Sequence, residues 1–186
     1  RRPALTRPGR YALIVIADAG PLIALAKIGA LDTLIRLYDS ILTPPAVYAE
    51  AVTAGSRLGA DDAALLEAEY QRGAFKVHSP TLAQLPSPAQ LGPGEEESIR
   101  LAIELKADWL LMDDSDARRA AELNFAAASV STAVKGTLGV LVSASEQSHL
   151  TRTQAIELIE ALKGRPDIWI SAELCDQVID TLRHTP

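Results

Sequence analysis

The feature that most constrains the fold is an uninterrupted apolar run that ends in an acid and passes into a helical pattern. Residues 12–17 are all apolar, which is typical of a central strand in a parallel sheet covered by helices on both faces. Asp18 follows directly, and apolar residues then recur at helical spacing, with Gly29 expected to split the helix. The chain therefore makes a β-to-α step at its start, which favours an α/β domain.

The same alternation continues along the chain. Pro44 and Pro45 open one predicted helix, because proline suits the first helical turn, and Gly55 is expected to end it. Thr151 and Gln154 form a capping box before a later helix. We expect a three-layer α/β/α domain with a central parallel sheet. Further strands are predicted over 40–43, 75–78, 109–112 and 127–131, and helices over 61–72, 95–106, 116–124, 138–145 and roughly 172–182.

Length and composition favour one compact unit. The chain has 186 residues, of which 48% are apolar, and this suits a single domain with an ample core. We expect the α/β domain to occupy residues 11–150 and a C-terminal helical extension, 151–186, to pack on the same domain. The proline-rich loop 79–94 is the clearest break, but it is too short to be a domain linker.

Charge and cysteine content exclude several functional classes. A net charge of -6 argues against a broad basic surface that grips nucleic acid nonspecifically. The single cysteine, Cys175, can form no internal disulfide, and the histidines are scattered singly, so a zinc cluster is not expected. The arginine-rich start loosely resembles a secretion signal, but β-branched residues favour a strand there. We expect no membrane span and a reducing, cytoplasmic setting.

Acidic residues fall where two predicted strands end. Asp18 follows the first strand, and Asp113-Asp114-Ser115-Asp116 follows the strand at 109–112. Ligand sites in open parallel sheets lie beyond the carboxyl ends of the strands, and clustered carboxylates repel unless a cation neutralises them. Oxygen ligands suit Mg²⁺ or Mn²⁺. If the strand is still extended, Asp114 and Asp116 point the same way and Asp113 lies on the other face.

Each of these acids also has an ordinary structural interpretation. Asp18 suits a helix cap, and the acidic run suits a solvated turn that caps the following helix. Glu95 lies in a first helical turn, where the helix dipole favours acids without any function. Its spacing from Ile99 nevertheless places Glu95 at the inner edge of the helix, whereas Glu96 is expected to face water.

Two motifs resemble the PIN-domain nucleases, especially a bacterial and archaeal subfamily of unassigned members. They are Asp18-Ala-Gly-Pro-Leu-Ile23 and Leu91-Gly-Pro-Gly-Glu95. Three further stretches look like that subfamily in the same order, so the resemblance covers roughly residues 12–150. These are Pro45-Ala-Val-Tyr-Ala-Glu50, Leu110-Leu-Met-Asp-Asp-Ser-Asp-Ala-Arg-Arg119 and Gly136-Thr-Leu-Gly-Val-Leu141.

The resemblance implies metal-dependent hydrolysis of RNA phosphodiesters, with carboxylates holding Mg²⁺ or Mn²⁺ and activating water. Asp18 would be the first ligand, Glu95 would stand where many relatives have Asp, and Asp114 and Asp116 would complete the cluster. Many relatives are toxins of toxin-antitoxin pairs, so a small antitoxin partner is a further expectation.

Other residues are implied with less support. Glu50 looks like an acid that relatives carry on their second helix, although it also suits an exposed helix position. Asp113 is a further candidate ligand, and Thr137 either donates a hydrogen bond near the site or caps the following helix. Because the chain is acidic, binding of the RNA substrate would depend on three cations and the metal. These are Arg118, Arg119 and Lys135.

Two alternatives compete with a nuclease. Gly20 stands where many relatives have Ser or Thr, which removes a hydroxyl that can orient a ligand or water, and this favours a catalytically weak or inactive PIN-like binding module. A carboxylate-and-metal phosphotransfer enzyme is less favoured. Asp18-Ala19-Gly20 lacks the Asp-x-Asp pattern of an aspartyl nucleophile.

The early helices carry more apolar residues than one helix face requires. The surplus is covered either within the chain or by another chain. Relatives often pair through this region, so a homodimer or a complex with a small partner is predicted. The residues concerned are Leu22, Ile23, Leu25, Ile28, Leu31, Leu34, Ile35 and Leu37.

Overall fold

Five parallel strands form the central sheet of the computed structural model, which describes residues 13–38, 40–87 and 89–184. The start of the first predicted strand, residue 12, lies outside the described residues. The strands are β1 Val15–Ala17, β2 Ile41–Thr43, β3 Phe75–Val77, β4 Trp109–Leu111 and β5 Ala133–Lys135.

The strand order is β3-β2-β1-β4-β5, which places β1 at the centre. Val15 is in register with Ile41 on one side and with Trp109 on the other. The chain builds outward from β1 to β3 and then crosses to β4, so the order reverses between β1 and β4. In open parallel sheets this reversal is where a crevice forms beyond the carboxyl ends of the strands.

Helices connect the strands and cover both faces of the sheet. One of them, between Tyr48 and Gly55, has π-helical geometry over Ala49–Ala54. The α-helices are α1 Ala19–Lys27, α2 Leu31–Leu37, α3 Pro45–Tyr48, α4 Gly55–Arg57, α5 Asp61–Gln71, α6 Pro93–Leu105, α7 Ser115–Ala127, α8 Thr137–Glu146, α9 Arg152–Lys163 and α10 Ala172–His184.

Alternating side chains of β1 enter two separate cores. Val15 and Ala17 belong to the cluster formed with α1, α2, α8, α9 and α10, whereas Ile16 belongs to the cluster formed with α6 and α7. Successive side chains of a strand point to opposite faces, so a strand buried on both sides must be apolar throughout. The predicted three-layer α/β/α arrangement is therefore confirmed.

The C-terminal helices share the first of these cores. Ile159 of α9 and Ile179 of α10 are buried in the same cluster as β1. The Thr151 hydroxyl accepts from the Gln154 amide at 3.2 Å, which confirms the predicted capping box. The proposed boundary between 11–150 and 151–186 stays a prediction. No helix within the described ranges is long and apolar enough to cross a bilayer.

Two predicted boundaries are wrong. Gly55 does not end a helix, because the chain continues from the π-helical turn into α4. The predicted strand over 127–131 is instead the end of α7 and a turn, and β5 begins only at Ala133. Helix α7 extends because Phe125 continues its buried face.

The surplus apolar residues of the early helices are covered within the chain. The leucines at 22, 25, 31, 34 and 37 are all buried in the larger core. Ile23, Ile28 and Ile35 are partly buried and pack against it. The apolar surplus therefore no longer argues for a homodimer, which stays a prediction.

Gly55 is required by close packing between two helices. A Cβ at this position would lie 2.7 Å from the Cβ of Ala63, whereas one at Gly20 would lie 3.7 Å from the Cβ of Asp113, an ordinary contact. We predict that Gly55→Ala lowers the free energy of unfolding by about 1 kcal/mol or more, because overpacking exceeds the gain in helix propensity. Gly20→Ala is the matched control, and chemical denaturation should show no loss for it. Equal stability of the two variants would contradict this packing.

Candidate functional site

Six acids line a cleft of about 430 Å³ at the carboxyl ends of β1 and β4. We call it the acidic cleft. It opens at the reversal of strand order, where ligands bind in folds of this kind. One of the six, Asp167, lies between α9 and α10, whereas the other five come from the ends of the two strands, the π-helical turn and the first turn of α6. They are Asp18, Glu50, Glu95, Asp113 and Asp114.

Asp18 is the most buried of them. It is 8% exposed, and its Oδ1 atom has no hydrogen-bond partner among the described residues. Although it precedes α1, its side chain makes no capping hydrogen bond, so the cap interpretation does not account for it. The pKa of Asp18 is raised to about 7, mainly by burial and also by the charges of Glu50 and Glu95, while the amides of Ala19 and Gly20 act in the opposite direction.

Gly94 lets α6 approach two of these acids. A Cβ at residue 94 would lie 3.3 Å from both Asp18 Oδ1 and Glu50 Oε2. The absence of a side chain therefore brings the helix start against the carboxylates. Loss of hydration raises the pKa of Glu50, and the charge of Glu95 adds to that shift. Asp18, Glu50 and Glu95 thus influence one another electrostatically.

The first turn of α6 also fixes the neighbouring helix. Glu95 Oε2 accepts from the Gly92 amide at 2.7 Å, which matches the ordinary role of an acid in a first turn. Glu97, which the sequence analysis did not single out, accepts from the Ala46 amide at 2.9 Å. This bond joins α6 to α3 and so sets the position of Glu50. In the sequence, the only signal for this contact was the presence of a carboxylate two residues after Glu95.

Asp113 is held by Thr137. The Thr137 amide and hydroxyl donate to its carboxylate at 2.7 and 2.5 Å, and Thr137 is fully buried. Burial raises the pKa of Asp113, while the two hydrogen bonds and the charge of Arg118 lower it. Thr137 therefore positions an acid of the cleft.

Asp114 and Asp116 do not point the same way, contrary to the expectation from an extended strand. The strand ends at Leu111 and α7 begins at Ser115, so the two residues straddle a helix start. Asp114 caps α7 by accepting from the amides of Asp116 and Ala117 at 2.9 and 2.8 Å. Asp116 is exposed and does not line the acidic cleft.

The donor chemistry of the cleft fits a hard divalent cation. The acids that line it all offer oxygen ligands, and Oδ1 of Asp18 is a buried polar atom without a hydrogen-bond partner among the described residues. The ligand set is not closed, however. Among the described residues, no three His, Cys, Asp or Glu side chains are gathered closely enough to hold an ion. Glu95 and Asp114 are instead bonded to backbone amides.

The opposite wall of the acidic cleft is the segment 167–170, between α9 and α10. We call it the wall segment. Asp167 forms an ion pair with Lys27 at 2.9 Å and accepts two bonds from Arg165, each 2.9 Å long. These cations hold the pKa of Asp167 well below its usual range. Lys27 is the last residue of α1, so its ion pair with Asp167 connects the wall segment to the helix that follows Asp18.

A second cleft of about 570 Å³ lies on the other side of the wall segment. We call it the side cleft. Arg118 and Lys135 line it, whereas Arg119 is exposed and lines neither cleft. The Lys135 ammonium donates to Ser143 at 2.7 Å and lies 3.8 Å above the Trp109 ring, and its loss of hydration lowers its pKa. Of the three predicted substrate cations, Arg118 is therefore the best placed.

A family model described as a PIN domain matches residues 14–184, which include every acid of the cleft, the wall segment and both C-terminal helices. No curated protein and no solved structure shows significant similarity to the chain.

The raised pKa of Asp18 predicts a pH-dependent stability in the absence of divalent ions. The ordinary value is 3.8, so the unfolded chain loses this proton near pH 4 while the folded protein keeps it to about pH 7. Stability therefore falls as pH rises between these values. We predict that Asp18→Asn in EDTA gains stability relative to the wild type as pH rises from 4 to 8, by on the order of 4 kcal/mol.

Chemical denaturation at several pH values measures this difference. Any fixed cost of burying an asparagine amide is the same at each pH, so it does not affect how the stability difference between variant and wild type changes with pH. Glu122→Gln, at an exposed position of α7, is the matched control and should show no such slope. A constant difference between Asp18→Asn and wild type from pH 4 to 8 would show that Asp18 has an ordinary pKa.

Proposed function

Because the chain belongs to the PIN-domain family, we propose that it hydrolyses RNA phosphodiester bonds, with Mg²⁺ or Mn²⁺ held in the acidic cleft. PIN domains are generally nucleases that typically use divalent metals. The observation that carries the proposal is the buried, unpartnered Oδ1 of Asp18, which faces Glu50 beside Gly94. A carboxylate in this position costs stability unless a cation or a proton compensates it.

We assign the ion to Asp18, Glu50, Glu95 and Asp113. A bound divalent ion would supply charge at the phosphate and lower the pKa of an attacking water. The sequence-based ligand set contained Asp114 and Asp116, with Glu50 and Asp113 named as further candidates. Exposure of Asp116 and the capping role of Asp114 favour the revised set.

The remaining residues position these ligands. Thr137 fixes the carboxylate of Asp113, and Glu97 anchors the helix that leads to Glu50. Glu95 would exchange the Gly92 amide for the ion, a change that needs only side-chain rotation. The wall segment forms the side of the acidic cleft that faces these ligands.

The second candidate is a binding module with weak or no catalysis. Two observations favour it, since the described acids form no closed ligand set and residue 20 is a glycine without a hydroxyl. Such a module would bind RNA or protein without hydrolysing the phosphodiester. Metal binding followed by an RNA cleavage assay separates the two candidates.

A toxin role, a small antitoxin partner, a homodimer and a cytoplasmic location stay predictions. The leucines of α1 and α2 are buried within the chain, so an associating surface would have to lie elsewhere. Light scattering at micromolar concentration measures self-association directly.

We predict that the wild type binds Mn²⁺ and cleaves single-stranded RNA, and that EDTA abolishes the cleavage. Asp18→Asn should lower the cleavage rate by roughly 100-fold or more, because loss of a ligand should cost at least as much as loss of a group that only orients one. Calorimetry measures Mn²⁺ uptake, and gel analysis of a labelled oligonucleotide measures cleavage. Glu122→Gln removes one exposed carboxylate outside both clefts and serves as the control.

The outcomes separate the candidate functions. Uptake of Mn²⁺ without cleavage would favour the binding module. Equal Mn²⁺ uptake by wild type and Asp18→Asn would place any metal outside the acidic cleft. Cleavage that persists in a rigorously purified Asp18→Asn sample would identify a different catalytic centre.

A further inference from the structure

Trp169 is the most exposed large apolar side chain of the described residues. It is 98% exposed, whereas most large apolar side chains of the described residues lie in the two cores. It belongs to the wall segment and lines both the acidic cleft and the side cleft. The indole therefore lies between the acidic cleft, with its candidate catalytic carboxylates, and the side cleft.

The side cleft is lined by both apolar and polar side chains. Leu138, Leu174 and Val178 supply apolar surface, and Arg118 and Ser171 supply donors. The volume of about 570 Å³ lies within the range of small-ligand sites. A flat heteroaromatic ring with polar edges matches these surfaces, because its faces need apolar contact and its edges need hydrogen bonds.

Arg118 and Lys135 bring positive charge to the side cleft. The charge of Arg118 acts against the rise that burial causes in the pKa of Asp113, an acid that lines both clefts. Nη1 of Arg118 would lie 3.1 Å from a Cβ at Gly136, so the guanidinium lies close to an acid of the proposed metal site. A phosphate that approaches the acidic cleft from the side cleft would pass this cation.

We propose that Trp169 is the stacking platform for an unpaired base of single-stranded RNA, and that Arg118 neutralises the phosphate adjoining that base. The inference rests on the proposed function, because it places the neighbouring phosphodiester in the acidic cleft. Bases stack on exposed aromatic side chains when they are unpaired, so the substrate is single-stranded. Stacking uses the face of a base and not its edges, so selection of the base itself is weak.

The backbone next to Trp169 is held in place by ion pairs in the protein without RNA. Asp167, two residues before Trp169, is bound by both Lys27 and Arg165. The Lys27 ammonium also donates to the Asp167 carbonyl at 3.4 Å. Because the backbone that carries Trp169 is already positioned, less of it has to be ordered on binding, which favours affinity. An RNA ligand is favoured over a protein here because Trp169 is flanked by a cation and by the proposed hydrolytic site.

Binding of a short fluorescent oligouridylate, measured by anisotropy in EDTA, tests the inference without cleavage. Trp169→Ala should weaken binding roughly 5- to 100-fold, and Trp169→Phe should retain most of the affinity. Arg118→Ala should reduce the slope of log affinity against log salt by about 0.7.

Two exposed residues that line neither cleft provide matched controls. Leu58→Ala controls for lost apolar surface and Arg57→Ala for lost charge, and both variants should bind the oligouridylate as the wild type does.

Equal affinity of Trp169→Ala and wild type would overturn the inference, as would the absence of measurable binding by the wild type. A wild type that is dimeric by light scattering while Trp169→Ala is monomeric would also overturn it, by making Trp169 a contact between copies. Failure of the inference differs from failure of the proposed function. Tryptophan-dependent binding without metal-dependent cleavage would contradict only the function, and cleavage with tryptophan-independent binding would contradict only the inference.

Discussion

A carboxylate buried at the end of the central strand is the constraint around which the candidate site is organised. Asp18 directly follows β1, and its amide donates to the Leu111 carbonyl at 2.9 Å, so parallel pairing with β4 fixes where its side chain lies. Among the described residues it forms no ion pair and no capping bond, and only the nearby amides of Ala19 and Gly20 act against the effect of its burial. Ionisable side chains whose burial lowers the stability of the protein are common at functional sites, where the same environment prepares them for a ligand.

The surrounding elements maintain this arrangement through a few specific contacts. Gly94 allows α6 to approach Asp18 and Glu50. Thr137 holds Asp113 from the opposite side, at the start of α8. The three acids are therefore brought to one cleft by elements that are far apart in the chain. This convergence depends on the reversal of strand order between β1 and β4.

Much of this architecture could be predicted from the sequence because it depends on local patterns. The apolar run before Asp18 indicates a strand buried on both faces, and Gly29, with a φ of 68°, separates α1 from α2 as expected. The orientation of Asp113, Asp114 and Asp116 was not predictable in the same way. It depends on the residue at which α7 begins, because a shift of one residue decides which of these acids caps the helix.

The wall segment was missed for a different reason. Its position follows from the ion pair between Lys27 and Asp167, which are 140 residues apart, and no local pattern signals such a contact. Lys135 was likewise expected to bind substrate, and it lines the side cleft, but its ammonium lies against Ser143 and the ring of Trp109. Charge composition identifies the cations in a sequence, whereas only packing shows which of them face a cleft.

The most direct measurement is the number of protons released when Mn²⁺ binds, obtained by calorimetry in buffers of different ionisation enthalpy. Because the pKa of Asp18 is raised to about 7, the ion must displace its proton below that pH. The expected result is release of about one proton at pH 6, little release at pH 8, and loss of the pH 6 release in Asp18→Asn. Binding of Mn²⁺ at pH 6 with no proton release, or with equal release by Asp18→Asn, would contradict the placement of the ion at Asp18.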